Sequence, residues 1–146
     1  MANLDLDSPA HELTALLAAL VPAVERRFAM VSAELGLSKP QAHLLAQLPT
    51  DRGLSQRETS QRLHCAPSSI VPLIDSLEQR GWLARQVDSA DRRVNVLMLT
   101  PSGSEVRQRM MRQLLDPPAA IRRLSSEQQH QLRDLLRGVV RELGEP

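Results

Sequence analysis

The sequence predicts a mainly α-helical fold interrupted once by a short β-hairpin. Three observations predict it. Apolar residues recur at three- and four-residue spacing along most of the chain. Serines followed three residues later by Gln or Glu mark successive helix starts. Only between Leu83 and Leu99 does the pattern shorten to extended runs. A hydrophobic fraction of 42% suffices for a core in 146 residues, and 24% charged residues argue against disorder.

The elements follow in order. Ser8 caps a long first helix, with Pro9 at its first position, where a missing N–H is harmless. Leu13, Leu16, Leu17, Leu20, Val24, Phe28, Val31 and Leu35 form its apolar stripe, which lasts to Gly36, and Pro22 should kink or split it. A stripe this long near a terminus needs a covering surface, for which another subunit is the candidate. Ser38 and Gln41 form a capping box for a short helix carrying Leu44, Leu45 and Leu48 and stopping at Pro49. Ser55 and Glu58 form the next, for a helix to about Leu63. After a turn at His64-Cys65-Ala66, Pro67 opens a helix ending at Arg80-Gly81.

Leu83 to Val87 and Val94 to Leu99 then read as two strands joined by the polar stretch Asp88 to Arg93, a hairpin with a charged tip. Thr100-Pro101 starts a helix with Val106, Met110, Met111, Leu114 and Leu115 on its apolar face, broken at Pro117-Pro118. Ser125 and Gln128 box the last helix, whose stripe is Leu132, Leu135, Leu136, Val139, Val140 and Leu143. Two helices separated by a tight turn and followed at once by a hairpin describe a winged helix-turn-helix. The expected organisation is a flexible N-terminus over 1–8, a winged unit over 38–100, and flanking helical segments 9–37 and 101–146 whose apolar faces the small middle unit cannot cover alone.

Composition narrows the function. Net charge is only +1, so a nucleic-acid role must rest on motif and local placement. Phe28 and Trp82 are the only aromatics, which disfavours stacked recognition of single strands or RNA. The single cysteine, Cys65, allows no intrachain disulfide. With an acidic N-terminus and no uncharged apolar run near the ~18 residues of a membrane span, a cytoplasmic protein is expected. His11, His43, His64 and His130 are scattered, so neither metal nor cofactor is expected, and no nucleophile–base set or phosphate loop suggests an enzyme. Cys65 is read as a packing residue, because nothing basic flanks it closely enough to promise a thiolate.

Leu77-Glu78-Gln79-Arg80-Gly81-Trp82-Leu83, then Asp88-Ser89-Ala90-Asp91-Arg92-Arg93, then Leu99-Thr100-Pro101-Ser102-Gly103, occur in that order behind the helix-turn-helix. In this the chain resembles the MarR (multiple antibiotic resistance regulator) family over roughly Ala10 to Leu143. The resemblance implies a homodimeric transcriptional regulator, more often a repressor, on an inverted repeat of double-stranded DNA, and it makes the flanks 9–37 and 101–146 the helical dimerisation region. The helix from Pro67 would enter a major groove. Asp91 would orient Arg93 into a minor groove, with Arg92 on phosphates.

The recognition helix departs from the family, with Pro67 and Pro72 where relatives carry Arg or Lys. The groove-facing candidates are Ser68, Ser69, Val71 and Pro72, with Gln56 and Arg57 from the preceding helix. Pro72 should bend the helix unless its regular turns begin near Ser69. Either specificity rests on the wing arginines, DNA shape and apolar contacts, or DNA binding is weak; the intact wing favours the first. The resemblance also implies a small aromatic or anionic effector between dimer helices and winged unit, where Phe28, His43, Arg107 and Met110 are candidates. The competing class is a winged-helix protein-interaction module with weak or no DNA binding.

Overall fold

The computed structural model describes residues 8–87 and 95–144, which divide into two compact units, Met1–Leu114 and Leu115–Pro146. The wing tip from Asp88 to Val94, and residues 1–7 of the N-terminal segment, lie outside the described residues.

In the first unit, α1 (Pro9–Glu34) is capped by Ser8, whose side chain accepts the His11 N–H. Pro22 does not split it: α1 runs unbroken for 26 residues. The reason is exposure. Pro22 deprives the Ala18 carbonyl of its helical donor, but both residues face solvent, where water can replace the bond. α2 (Lys39–Gln47) and α3 (Gln56–Arg62) each begin with a reciprocal capping box, Ser38 with Gln41 and Ser55 with Glu58. α4 (Pro67–Gln79) is continuous through Pro72, and Gly81, at φ 70°, turns the chain out of it.

The sheet has three strands where the sequence suggested two. β1 (Leu54–Ser55) joins β2 (Leu83–Val87) and β3 (Asn95–Leu99) in the order β1-β3-β2, all antiparallel. Leu54 lies opposite Leu97 and Leu83 opposite Leu99. Strict alternation in β3 fails, because Val96 and Leu97 are both buried. Gly53 explains it: a Cβ there would lie 2.6 Å from the Val96 side chain, so bare backbone packs directly over Val96.

The core of this unit gathers Leu44, Leu45 and Leu48 of α2 and its cap, Leu54 of β1, Ile70, Ile74 and Leu77 of α4, and Leu97 of β3. Met110 of α5 (Pro101–Leu115) completes it. The second unit contains α6 (Ala119–Arg122), a single turn not anticipated from the sequence, and α7 (Ser126–Gly144). α7 starts at the expected box, the Ser125 N–H donating to Gln128 Oε1 at 2.9 Å and the Gln128 N–H to Ser125 Oγ at 3.2 Å. Among the described residues, no helix is long and apolar enough to cross a membrane.

Candidate nucleic-acid interface

The turn between α3 and α4 is held by the main chain. The Cys65 N–H donates to the Ser60 carbonyl at 3.1 Å, and His64 adopts φ 50°, uncommon for a residue with a side chain. Ser60 and Thr59 are buried in α3. Their hydroxyls donate to the Arg57 carbonyl at 2.8 Å and the Ser55 carbonyl at 2.9 Å, so the polar groups beneath the turn are satisfied. Gln56 bridges the two helices, its Nε2 donating to the Pro67 carbonyl at 3.1 Å. This sequence candidate is half-buried and binds at the start of α4.

α4 buries Ile70, Ile74 and Leu77 and turns Ser68, Pro72, Asp75 and Gln79 to solvent. Their four-, three- and four-residue steps place them on one helical face. Of the predicted groove residues, Ser68, Ser69 and Pro72 are exposed, Arg57 is exposed on α3, and Val71 is half-buried. Pro72 leaves the Ser68 carbonyl without its usual helical donor at an exposed position, the same device as in α1. Sequence reasoning missed Asp75 and Gln79, although stepping by three and four from Ser68 and Pro72 would have reached both.

It also missed what Asp75 does. Asp75 and Glu78 form an acidic pair at helical spacing, and both engage Arg85 of β2. Arg85 Nη2 donates to Asp75 Oδ1 at 2.6 Å, its Nη1 is paired with Glu78 Oε2, and its main-chain N–H donates to Glu78 Oε1 at 2.9 Å. One guanidinium therefore ties the first wing strand to the helix. It also offsets two carboxylates on an element that otherwise holds no cation. No local signal in the sequence pairs residues ten apart across a turn.

Asp91, Arg92 and Arg93, the predicted wing contacts, lie outside the described residues. The four effector candidates are distributed as follows. Phe28 and His43 stack with ring centroids 4.1 Å apart, Met110 is fully buried in the core, and Arg107 Nη2 donates to the Ala46 carbonyl at 3.3 Å. His43 also lines a cavity of about 770 Å³ with Lys39, Arg62, Cys65, Ser69 and Leu73. Cys65 is half-buried and packs against the core. Among the described residues, no cluster of three His, Cys, Asp or Glu side chains is placed to hold a metal ion.

Two short helices joined by a tight turn, the second bound to a β-hairpin at its C-terminal end, define a winged helix-turn-helix. Residues 37–94 match the family model of the MarR family, so the winged unit carries a MarR-type domain. It is 35% identical over 68 residues to the HTH-type transcriptional repressor MdtR of Bacillus subtilis, covering 47% of this chain and 44% of that one. It is 32% identical over 103 residues to a putative transcriptional regulatory protein for the hcr operon of Thauera aromatica, covering 68% of this chain and 60% of that one. The chain thus spans less than two thirds of either curated relative. Its fold matches the transcriptional repressor CouR of Rhodococcus jostii RHA1, solved on a 23-mer DNA duplex. That TM-score is 0.69 at 24% identity, over 99% of this chain and all of the other.

Proposed function

We propose that the protein is a DNA-binding transcriptional regulator, acting as a repressor, and not an enzyme. It works in the cytoplasm as a homodimer on an inverted repeat of double-stranded DNA. The observation that carries this reading is the Asp75–Arg85–Glu78 tie. Recognition helix and first wing strand are fixed to each other, and the helix carries no unbalanced acid into a phosphate-lined groove. Ser68 and Ser69 would serve phosphates or base edges, Pro72 and Val71 apolar contact, and Arg57 the backbone, a reading supported by the exposure of Ser68, Ser69, Pro72 and Arg57. Gln56 orients the start of α4. Arg93, oriented by Asp91, would supply the minor-groove contact and Arg92 a phosphate contact, as the family resemblance implies.

Two apolar faces support the dimer. On α1, Leu13, Leu16, Leu20, Val21 and Val24 are each more than half exposed. In the second unit, a groove of about 670 Å³ between α6 and α7 is floored by Ile121, Leu124, Leu132, Leu136 and Val140. Faces of this extent call for cover, and 9–37 with 101–146 form the proposed dimerisation region. An aromatic or anionic effector would act by favouring a subunit arrangement whose helix spacing no longer fits the operator. The test is binding to DNA upstream of the protein's own gene at several salt concentrations. Affinity that falls steeply with salt supports the reading, because released counterions set that slope. Absence of binding at low salt overturns it in favour of the protein-interaction module.

A further inference from the structure

Arg80 stands where two helix ends meet. It is the C-cap of α4, and its side chain leaves that helix for the end of α1. Nη1 donates to the Gly36 carbonyl at 2.8 Å and Nη2 to the Leu35 carbonyl at 3.4 Å. The α1 terminus leaves those two acceptors available. Its last turn closes through the Gly36 N–H on Ala33 O at 2.9 Å and the Leu37 N–H on Ser32 O at 2.8 Å, which use the carbonyls upstream. Gly36 makes the geometry possible with φ 64°. The guanidinium carbon lies over the Trp82 ring, 3.7 Å from its centroid, so Arg80 is held by a cation–π contact as well as at its donors.

The electrostatics point the same way. Neither α1 nor α4 has a basic residue in its last turn. The Arg80 guanidinium supplies positive charge at the carbonyl end of α1 from its seat on the cap of α4. Other side chains tie α1 elsewhere: Glu25 to Lys39 and Phe28 to His43 on α2, and Arg27 and Glu34 to Gln113 on α5. Arg80 reaches α1 from the recognition helix itself.

We propose that Arg80 is a positioning residue that sets the orientation of the recognition helix relative to α1, and through it the spacing of the two recognition helices in the dimer. This rests on the proposed function, because α1 carries one of the faces assigned there to the partner subunit. A symmetric dimer reads half-sites at a fixed separation, so a small rotation of α4 against α1 changes which separation fits. Lysine cannot replace this arginine, because a point charge on a flexible stem cannot reach both carbonyls as a fork while keeping the guanidinium seat over Trp82.

The test starts from a duplex enriched by the wild-type protein from a randomised pool. The same duplex is also made with one base pair inserted or removed between its half-sites. The wild type is expected to lose about tenfold in affinity on either altered spacing. Arg80→Ala and Arg80→Lys are expected to remain dimers by sedimentation and to bind the parent duplex about tenfold more weakly. Their spacing preference should shrink to about threefold or less. Their free-protein fluorescence should differ from wild type, since Trp82 is the only tryptophan.

Loss of affinity with the spacing preference intact is what general damage to the fold produces, and it overturns the role. So does full rescue by Arg80→Lys, or unchanged Trp82 emission in both variants. If Arg80→Ala does not fold, Arg80→Lys, which keeps charge and stem, carries the test. A wild-type protein that enriches no duplex overturns the regulatory reading first, and this role with it.

Discussion

Gly103 and Trp82 meet with no room between them: a Cβ on Gly103 would lie 1.8 Å from the Trp82 carbonyl oxygen. Around this contact the Thr100 N–H donates to the same carbonyl at 3.2 Å, and Thr100 Oγ1 donates to the Gly81 carbonyl at 2.6 Å while accepting the Gly103 N–H at 3.0 Å. The start of α5 is thereby fastened to the end of the recognition helix. Gly103→Ala must push backbone against backbone, and no rotamer change relieves that. We expect a loss of about 3 kcal/mol or more, or failure to fold, read as a large fall in Tm.

Arg85 offers a cleaner test of charge than of stability. Its two ion pairs are partly exposed, so Arg85→Ala should cost only about 1 kcal/mol in denaturant unfolding. DNA affinity should fall further, by about ten- to a hundredfold, because Asp75 and Glu78 are left uncompensated beside phosphates. Adding Asp75→Asn and Glu78→Gln to that variant should recover much of the loss. Anisotropy titrations of wild type and the two variants on one duplex decide it, and no recovery would place the role of Arg85 in geometry alone.

The three capping boxes differ in one respect that pH can read. Those of α2 and α7 use Gln41 and Gln128, which do not titrate, whereas that of α3 uses Glu58. Hydrogen bonds from the Ser55 hydroxyl and then from its backbone N–H hold the Glu58 carboxyl below its ordinary value. A carboxylate depressed in the folded state stabilises above its unfolded pKa, and that stabilisation is lost as pH falls through the folded value. Glu58→Gln should therefore flatten the decline in Tm between about pH 6 and about pH 3, without removing the share owed to Glu25, which Lys39 lowers likewise.

The proposed wing contact predicts a specific pattern for Arg93→Ala. Affinity for the selected duplex should drop about tenfold or more, the salt slope should shrink by about one ion, and the sedimentation mass should not change. Equal affinity for wild type and variant would remove Arg93 from the interface.

The exposed stripes predict a dimer at micromolar concentration. Leu16→Glu with Leu20→Glu on α1, two residues that are 56% and 59% exposed, should leave a folded protein of monomer mass. A dimer that survives both changes would assign the subunit contact elsewhere.

Most local decisions were legible in the chain. Ser8, Ser38, Ser55 and Ser125 each start a helix because the capping hydrogen bonds reach only three residues, well inside a sequence window. The buried stripe of α4 and the strands of the hairpin were legible for the same reason, since periodicity reports which side of an element turns inward. Pro22 does not split α1, because the cost of an internal proline depends on whether water reaches the carbonyl left behind, and exposure is not a local property. β1 was missed because two residues have no pattern of their own; they become a strand only by lying beside Leu97 and Val96.

The functional ties divide along the same line. Sequence determined that a helix-turn-helix precedes a hairpin, and where each helix begins, through contacts a few residues apart. Only the tertiary structure decided that Arg85 holds both Asp75 and Glu78, that Arg80 reaches back 44 residues to Gly36, and that Met110 belongs to the core rather than to an open wall. Those outcomes depend on which distant segments are brought within hydrogen-bonding distance, and burial of the apolar core, not local preference, sets that geometry.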